Sequence, residues 1–207
     1  MKKEFVFGYI SGAICSKGSI IYNKKKSVYM ISFETGDKDL FNIFTEFWKS
    51  AFDGDYRTYE KNSGSLIRLI FRVYNERVAR RFYYKYGFRT DSHNWKIPTV
   101  IKSKEDLRGF LSGFFDSGCY IRWRIRERGG KREKVRNIRI VSPNKGGLIA
   151  IKNALSGFGI SPMIYSSGKN FCLDIEGKMK LELFEKRIKF LLGKNKIRLQ
   201  EALSYNK

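Results

Sequence analysis

The chain has 207 residues, 42% of them apolar and 15% aromatic, enough to bury one sizeable core or two small fused ones. Its 42 Lys and Arg against 20 Asp and Glu leave a net charge of +22, a self-repulsion best offset by a polyanion, with nucleic acid the leading partner. The sequence has no apolar run of ~18 residues and no signal or lipidation pattern, so no membrane role and a cytoplasmic location are expected, nucleoid-associated in a prokaryote.

The first predicted element is an apolar helix closing on Gly8-Tyr9-Ile10-Ser11-Gly12-Ala13-Ile14-Cys15-Ser16-Lys17-Gly18-Ser19-Ile20 and running straight into a strand. Its small residues Gly8, Ser11 and Gly12 are three and four apart, the spacing that lets two helix backbones approach closely. Strands at Ser19 to Asn23 and Val28 to Glu34 follow, joined by Lys24-Lys25-Lys26. Asp37 then opens a helix through Phe41, Phe44, Phe47 and Trp48. A second strand pair, Asp55 to Lys61 and Leu66 to Tyr74, turns at Asn62-Ser63-Gly64, and Asn75 to Tyr86 reads as helix.

The opening run then returns as Gly109-Phe110-Leu111-Ser112-Gly113-Phe114-Phe115-Asp116-Ser117-Gly118-Cys119-Tyr120-Ile121, so the chain is an internal duplication. A helix from Ser103 to Ser117 leads to strands at Cys119 to Glu127 and Lys134 to Val141, then a helix from Asn144 to Gly157. Short strands at Met163 to Ser166 and Asn170 to Ile175 precede a helix through Leu181, Phe184, Ile188 and Leu191, and a last helix from Lys194 to Ser204. Residues 1–86 and 103–207 are therefore two equivalent halves, with residues 87–102, containing Ile97-Pro98, as the linker. The charge is shared between them, with 20 Lys and Arg against 10 acids up to residue 104 and 22 against 10 beyond it.

This order predicts an α+β fold in which helices cover one face of antiparallel sheets and leave the other bare. In the strand after the second motif, Tyr120, Arg122, Arg124, Arg126 and Arg128 alternate with Ile121, Trp123 and Ile125, which sends the two sets to opposite faces. Arg68 and Arg72 alternate in the same way with Ile67, Leu69, Phe71 and Val73, while Ser19, Ile21, Asn23 and Lys25 form a less regular set. A solvated basic face is the plain alternative. Four arginines in strict alternation behind a tyrosine favour a binding surface, because a ribbon of strands enters the major groove and Arg pairs with guanine O6 and N7. Arg57 and Arg139 join this set as further basic positions, suited to phosphates.

The cysteines Cys15, Cys119 and Cys172 have no CxxC spacing, and His93 is the one histidine, so neither a zinc site, a disulfide framework nor a histidine-based triad is indicated. A single glutamine, Gln200, beside many Lys, Arg and Ile residues fits a heat-adapted, archaeal-like source.

Taken together these residues resemble the single-chain, two-motif LAGLIDADG homing endonucleases. The likeness covers nearly the whole chain: both motifs, Ile97-Pro98 ahead of Leu107-Arg108-Gly109-Phe110-Leu111, and the closing Ile188-Lys189-Phe190 with Lys194 and Leu199. It implies a monomer with a pseudo-twofold axis, two αββαββα halves, paired motif helices and a saddle of sheets over double-stranded DNA. It also implies an acidic residue at the eighth position of each motif, holding the divalent metals that stabilise attacking and leaving oxygens during cleavage. Those positions are Lys17 and Gly118, and neither side chain binds Mg²⁺. A lysine there opposes a dication, by several kcal/mol at about 4 Å even with an effective dielectric of 20, and suits a phosphate instead.

At the sixth motif position stand Cys15 and Asp116, where the resemblance implies a residue that ends the helix. Lys194 matches a basic position near the family's active centre, and its first-half counterpart falls near Thr90 and Asp91. The expected function is sequence-specific binding of double-stranded DNA by a catalytically inactive relative, with no metal or cofactor and with Asp116 and Lys194 as residual catalytic candidates. The alternatives are an active Mg²⁺-dependent site-specific endonuclease and an RNA-binding intron maturase.

Overall fold

Two glycine-bearing helices meet backbone to backbone at the centre of the chain, in a computed structural model that describes residues 1–23, 28–52, 54–64, 66–88 and 93–205. The first motif lies on α1 (Lys3–Lys17) and the second on α4 (Lys104–Gly118). A Cβ built on Gly8 or Gly12 would overlap the carbonyl oxygen of Asp106 or Phe110, and one on Gly109 or Gly113 would overlap that of Phe5 or Tyr9. The contacts are reciprocal, residue for equivalent residue, so a pseudo-twofold axis passes between the helices. Phe5 to Cys15 of α1 is buried except Phe7, and Gly109 to Asp116 of α4 is buried throughout.

Each helix runs directly into its sheet. After α1 come β1 (Gly18–Asn23), β2 (Val28–Thr35), α2 (Lys38–Ala51), β3 (Arg57–Ser63), β4 (Leu66–Val73) and α3 (Glu76–Arg80). After α4 come β5 (Cys119–Arg128), β6 (Lys131–Ser142), α5 (Lys145–Ser156), β7 (Met163–Ser167), β8 (Asn170–Glu176), α6 (Lys178–Arg187) and α7 (Gly193–Ser204). The sheets have orders β1-β2-β4-β3 and β5-β6-β8-β7, antiparallel throughout. One face of each packs on helices. Phe33 and Phe71 meet Phe44 of α2, with Phe33 and Phe44 stacked at 4.1 Å, and the second half buries Ile138, Ile140, Leu173 and Ile175 in the same way.

The helix starts follow from local chemistry. Asp37, Asn75 and Asn144 each accept from a backbone N–H three residues on, and Ser103 forms a reciprocal capping box with Asp106.

Three expectations are corrected by tertiary contacts. The helix expected from Asn75 to Tyr86 is α3 followed by a π-helical turn, Arg81–Lys85, in which Phe82 packs on Trp48, Phe52 and Phe88. The helix expected through Leu191 stops at Arg187, because the segment beyond it bonds to α4 instead. Lys189 takes a left-handed φ of 74° and accepts from Ser112 Oγ at 2.8 Å, while Leu191 and Leu192 donate backbone N–H groups to Asp116. The hairpin expected between Glu127 and Lys134 is longer, closing at Gly129-Gly130 with φ of 57° and 74°, as a two-residue primed turn requires. The Lys24-Lys25-Lys26 turn lies outside the described residues.

Polar ties also join the halves to each other and to the segment between them. Tyr9 donates to Asp116 at 3.0 Å, Cys15 Sγ points at the Lys96 carbonyl at 3.7 Å, and Lys194 on α7 pairs with Asp37, the cap of α2. Partial burial acts to raise the pKa of Asp37, but the Lys194 ammonium and the N–H groups of Leu40 and Asp39 outweigh it and hold the carboxyl below the ordinary aspartate value.

Two outcomes are expected. Gly113→Ala, which would stabilise an isolated helix by up to about 1 kcal/mol, destabilises this one by about 4 kcal/mol or more, measured by urea denaturation. Asp37→Asn keeps the cap and removes the charge, so it costs only about 0.5 kcal/mol at neutral pH, given the exposure of Lys194. The ion pair's contribution is present above the ordinary aspartate pKa and fades as pH falls through the depressed one, so parent and variant converge in denaturation series once the pH is below that depressed pKa.

Candidate nucleic-acid interface

The register of the second sheet sorts its side chains by face. Tyr120, Arg122, Arg124 and Arg126 on β5 stand beside Arg139, Asn137, Val135 and Glu133 on β6, with Asp174 and Glu176 on β8 and Met163 and Tyr165 on β7. Tyr120 is 53% exposed, and Arg122 and Arg124 are exposed without an ion pair among the described residues. The guanidinium of Arg122 lies 5.5 Å from the Tyr120 ring. Together with Lys194, Ile197 and Arg198 from α7, this face lines a groove of about 1010 Å³.

The alternation read from the sequence therefore gives the right direction for these arginines but not their state. Arg126 lies 3.1 Å from Glu133 and 3.8 Å from Glu176. Arg139 is clamped to Asp174 through Nε and Nη2, both at 2.7 Å. The carboxylate raises the Arg139 pKa further against the opposing effect of burial, so the group stays charged. Arg128 ends the strand opposite Lys131, and its side chain lies outside those described.

The corresponding face of the first sheet is more mixed. Ser19 and Ile21 share it with Ser32, Glu34, Arg57, Tyr59, Arg68 and Arg72. Ile21 is 45% exposed and Ser19 half-buried. Arg68 lies 3.9 Å from Glu34, Arg57 sits over the Tyr74 ring at 5.6 Å, and Arg72 over the Tyr59 ring at 5.0 Å. Asn23 is on β1 with its side chain outside those described, and Lys25 lies outside the described residues.

The sequence reading missed Asp174, Glu176 and Glu133, the acids that temper the basic face. A signal existed for each: Cys172, Asp174 and Glu176 alternate with Leu173 and Ile175, and a turn at Gly129-Gly130 sets Glu133 opposite Arg126. Arg198 gave no such signal, because its exposure to the groove depends on how α7 docks against β5.

At the motif ends, Lys17 is exposed on the last turn of α1, and Gly118 abuts Ser16, whose Oγ an added side chain would meet. A cleft of about 310 Å³ opens there, lined by Lys17, Gly18, Gly118, Trp95 and Pro143. Asp116 does not face it. The carboxyl is 4% exposed and accepts from Tyr9, Leu191, Leu192 and Asn195 at 2.8 to 3.2 Å. Burial pushes its pKa up against the lowering effect of those donors. Burial alone also pushes the Cys15 thiol far up. Lys194 is engaged with Asp37 on the groove side, while Thr90 and Asp91 lie outside the described residues.

A two-metal centre requires carboxylates converging on one point. Lysine and glycine at the motif ends, with the nearby aspartate consumed by four donors, do not fit such an ion. Among the described residues no three of His, Cys, Asp and Glu come together to hold one.

Residues 105–189 match the LAGLIDADG-like domain family. Several solved structures share the fold at low identity. I-DmoI in complex with DNA and Mn is 12% identical with a TM-score of 0.63, over 91% of this chain and 98% of that one. I-WcaI bound to its DNA recognition sequence is 14% identical with a TM-score of 0.63, over 95% and 86%. The N-terminal LAGLIDADG domain of DUF199/WhiA is 14% identical with a TM-score of 0.63, over 96% and 88%. None of the curated proteins matches the sequence. With the repeated motif helices, the two sheets of matching order and the domain match in agreement, residues 105–189 form a LAGLIDADG-like domain and the chain as a whole shares the fold of these structures, built as a tandem duplication of one α+β unit.

Proposed function

We propose that this protein binds double-stranded DNA, as a monomer, across the exposed faces of its two sheets, and that it does so without a divalent metal and without cutting either strand. The observation that carries the reading is the pairing of a retained basic face with lost motif-end acids. Arg122 and Arg124 stand exposed on β5, while Lys17 and Gly118 stand at the eighth motif positions, where the resemblance implies metal-binding acids. Two proteins of this fold are described in complex with DNA, which supports the same use of the sheets here.

Electrostatics favours the same partner. A charge of +22 spread over both halves attracts a polyanion along the whole face, and each phosphate neutralised releases counterions, so affinity falls steeply with salt. At the centre, Lys17 offers an ammonium to a phosphate where a metal would otherwise bridge it. Monomeric action is supported by the α1 and α4 contact, which satisfies within one chain the twofold pairing that a single-motif half would need a second copy to complete.

Selection from random duplex DNA, followed by titration at two salt concentrations and incubation with Mg²⁺ or Mn²⁺, tests this reading. A site is expected to enrich, with a steep salt slope and no cleavage. Reproducible cuts would overturn the inactive reading, and preferential binding of structured RNA at the same salt would overturn the choice of DNA. Arg122→Ala with Arg124→Ala is expected to weaken binding by about 1 to 3 kcal/mol per arginine and to flatten the salt slope. Unchanged affinity would remove this face from the interface.

A further inference from the structure

Among the positions where the two sheets differ is one corresponding cross-strand pair. In the first, Ser32 on β2 lies opposite Arg72 on β4, and in the second the equivalent positions are Arg139 on β6 and Asp174 on β8. The guanidinium has changed strands. Each half nonetheless stacks it on an equivalent outer-strand tyrosine, Tyr59 at 5.0 Å from Arg72 and Tyr165 at 5.6 Å from Arg139.

What holds each group is different. Arg72 donates to Tyr74, but its Nε and the Ser32 Oγ across from it have no hydrogen-bond partner among the described residues. Arg139 is fixed through Nε and the terminal Nη2 by Asp174. Asp174 is itself 2% exposed and also accepts from Asn137 at 2.9 Å and Tyr165 at 3.0 Å. A buried carboxylate on this face subtracts charge from any polyanion contact, as Glu133 and Glu176 do. Its four donors make it a rigid brace instead.

A guanidinium carries five N–H donors. Asp174 takes one from Nε and one from Nη2, leaving both on Nη1 and the second on Nη2. Those remaining hydrogens form the fork that matches guanine O6 and N7 in the major groove, and an arginine already held in place loses less freedom on making that contact. Building on the DNA-binding reading, we infer that Arg139, braced by Asp174, is a base-reading residue of the second sheet, selecting guanine at one position. Arg122 and Arg124, exposed and unbraced, serve the phosphates. Asp174 is a positioning residue, and it acts only through Arg139.

The test measures base preference on the parent's selected site. Failure to enrich any duplex would sink the DNA-binding reading itself, whereas binding without sequence preference would leave that reading and overturn this inference. Arg139→Lys keeps the charge beside Asp174 and removes the fork. It is expected to melt close to the parent and to lose roughly tenfold or more of the discrimination for one G·C pair, with affinity for unrelated duplex little changed. Asp174→Asn is expected to lose preference at the same pair. Preference retained in Arg139→Lys, or lost equally on all sequences, overturns the assignment, and preference retained in a folded Asp174→Asn overturns the brace.

Discussion

The architecture depends on four glycines that let two helix backbones touch. Gly8 and Gly12 on α1 and Gly109 and Gly113 on α4 each face a carbonyl oxygen of the opposite helix, with no space for a methyl group. In an ordinary helix, glycine is a weakness of about 1 kcal/mol relative to alanine. Here it permits an approach that buries both helices and fixes the twofold relation between the halves. Everything downstream inherits that relation, because α1 and α4 pass straight into β1 and β5 and so set where each sheet begins.

The strands carry this order outward. Period-two alternation sends Ile138, Ile140, Leu173 and Ile175 into the core and leaves Tyr120, Arg122 and Arg124 on the opposite face. Asp116 shows how a motif position can serve the fold. By accepting from Tyr9 of the other half, from two backbone N–H groups beyond α6 and from Asn195 on α7, it joins three separate parts of the chain. Cys15, its counterpart, makes one long contact to the Lys96 carbonyl.

Most of the fold was legible because its signals are local. The repeated glycine spacing, the acidic or amide caps at Asp37, Asn75 and Asn144, and the alternating arginines each act over a few residues. The end of α6 was not legible, since the apolar period continues to Leu191 while hydrogen bonds to Ser112 and Asp116 pull the backbone out of the helix. The π-helical turn at Arg81–Lys85 escaped for a similar reason, being tied to where Phe82 packs. At the candidate interface, the direction of the arginines could be read. Their pairing could not, because Asp174 meets Arg139 only through the register of β6 on β8, across a sequence separation of 35 residues.

Fusing both halves in one polypeptide also releases them from identity. A homodimer must show the same surface twice, so whatever it straddles is read as an inverted repeat about the same twofold axis. Here the equivalent positions have drifted to Ser32 with Arg72 on one side and Arg139 with Asp174 on the other. The two faces are thus chemically unlike, and a duplex bound across them in the proposed way need not be a palindrome.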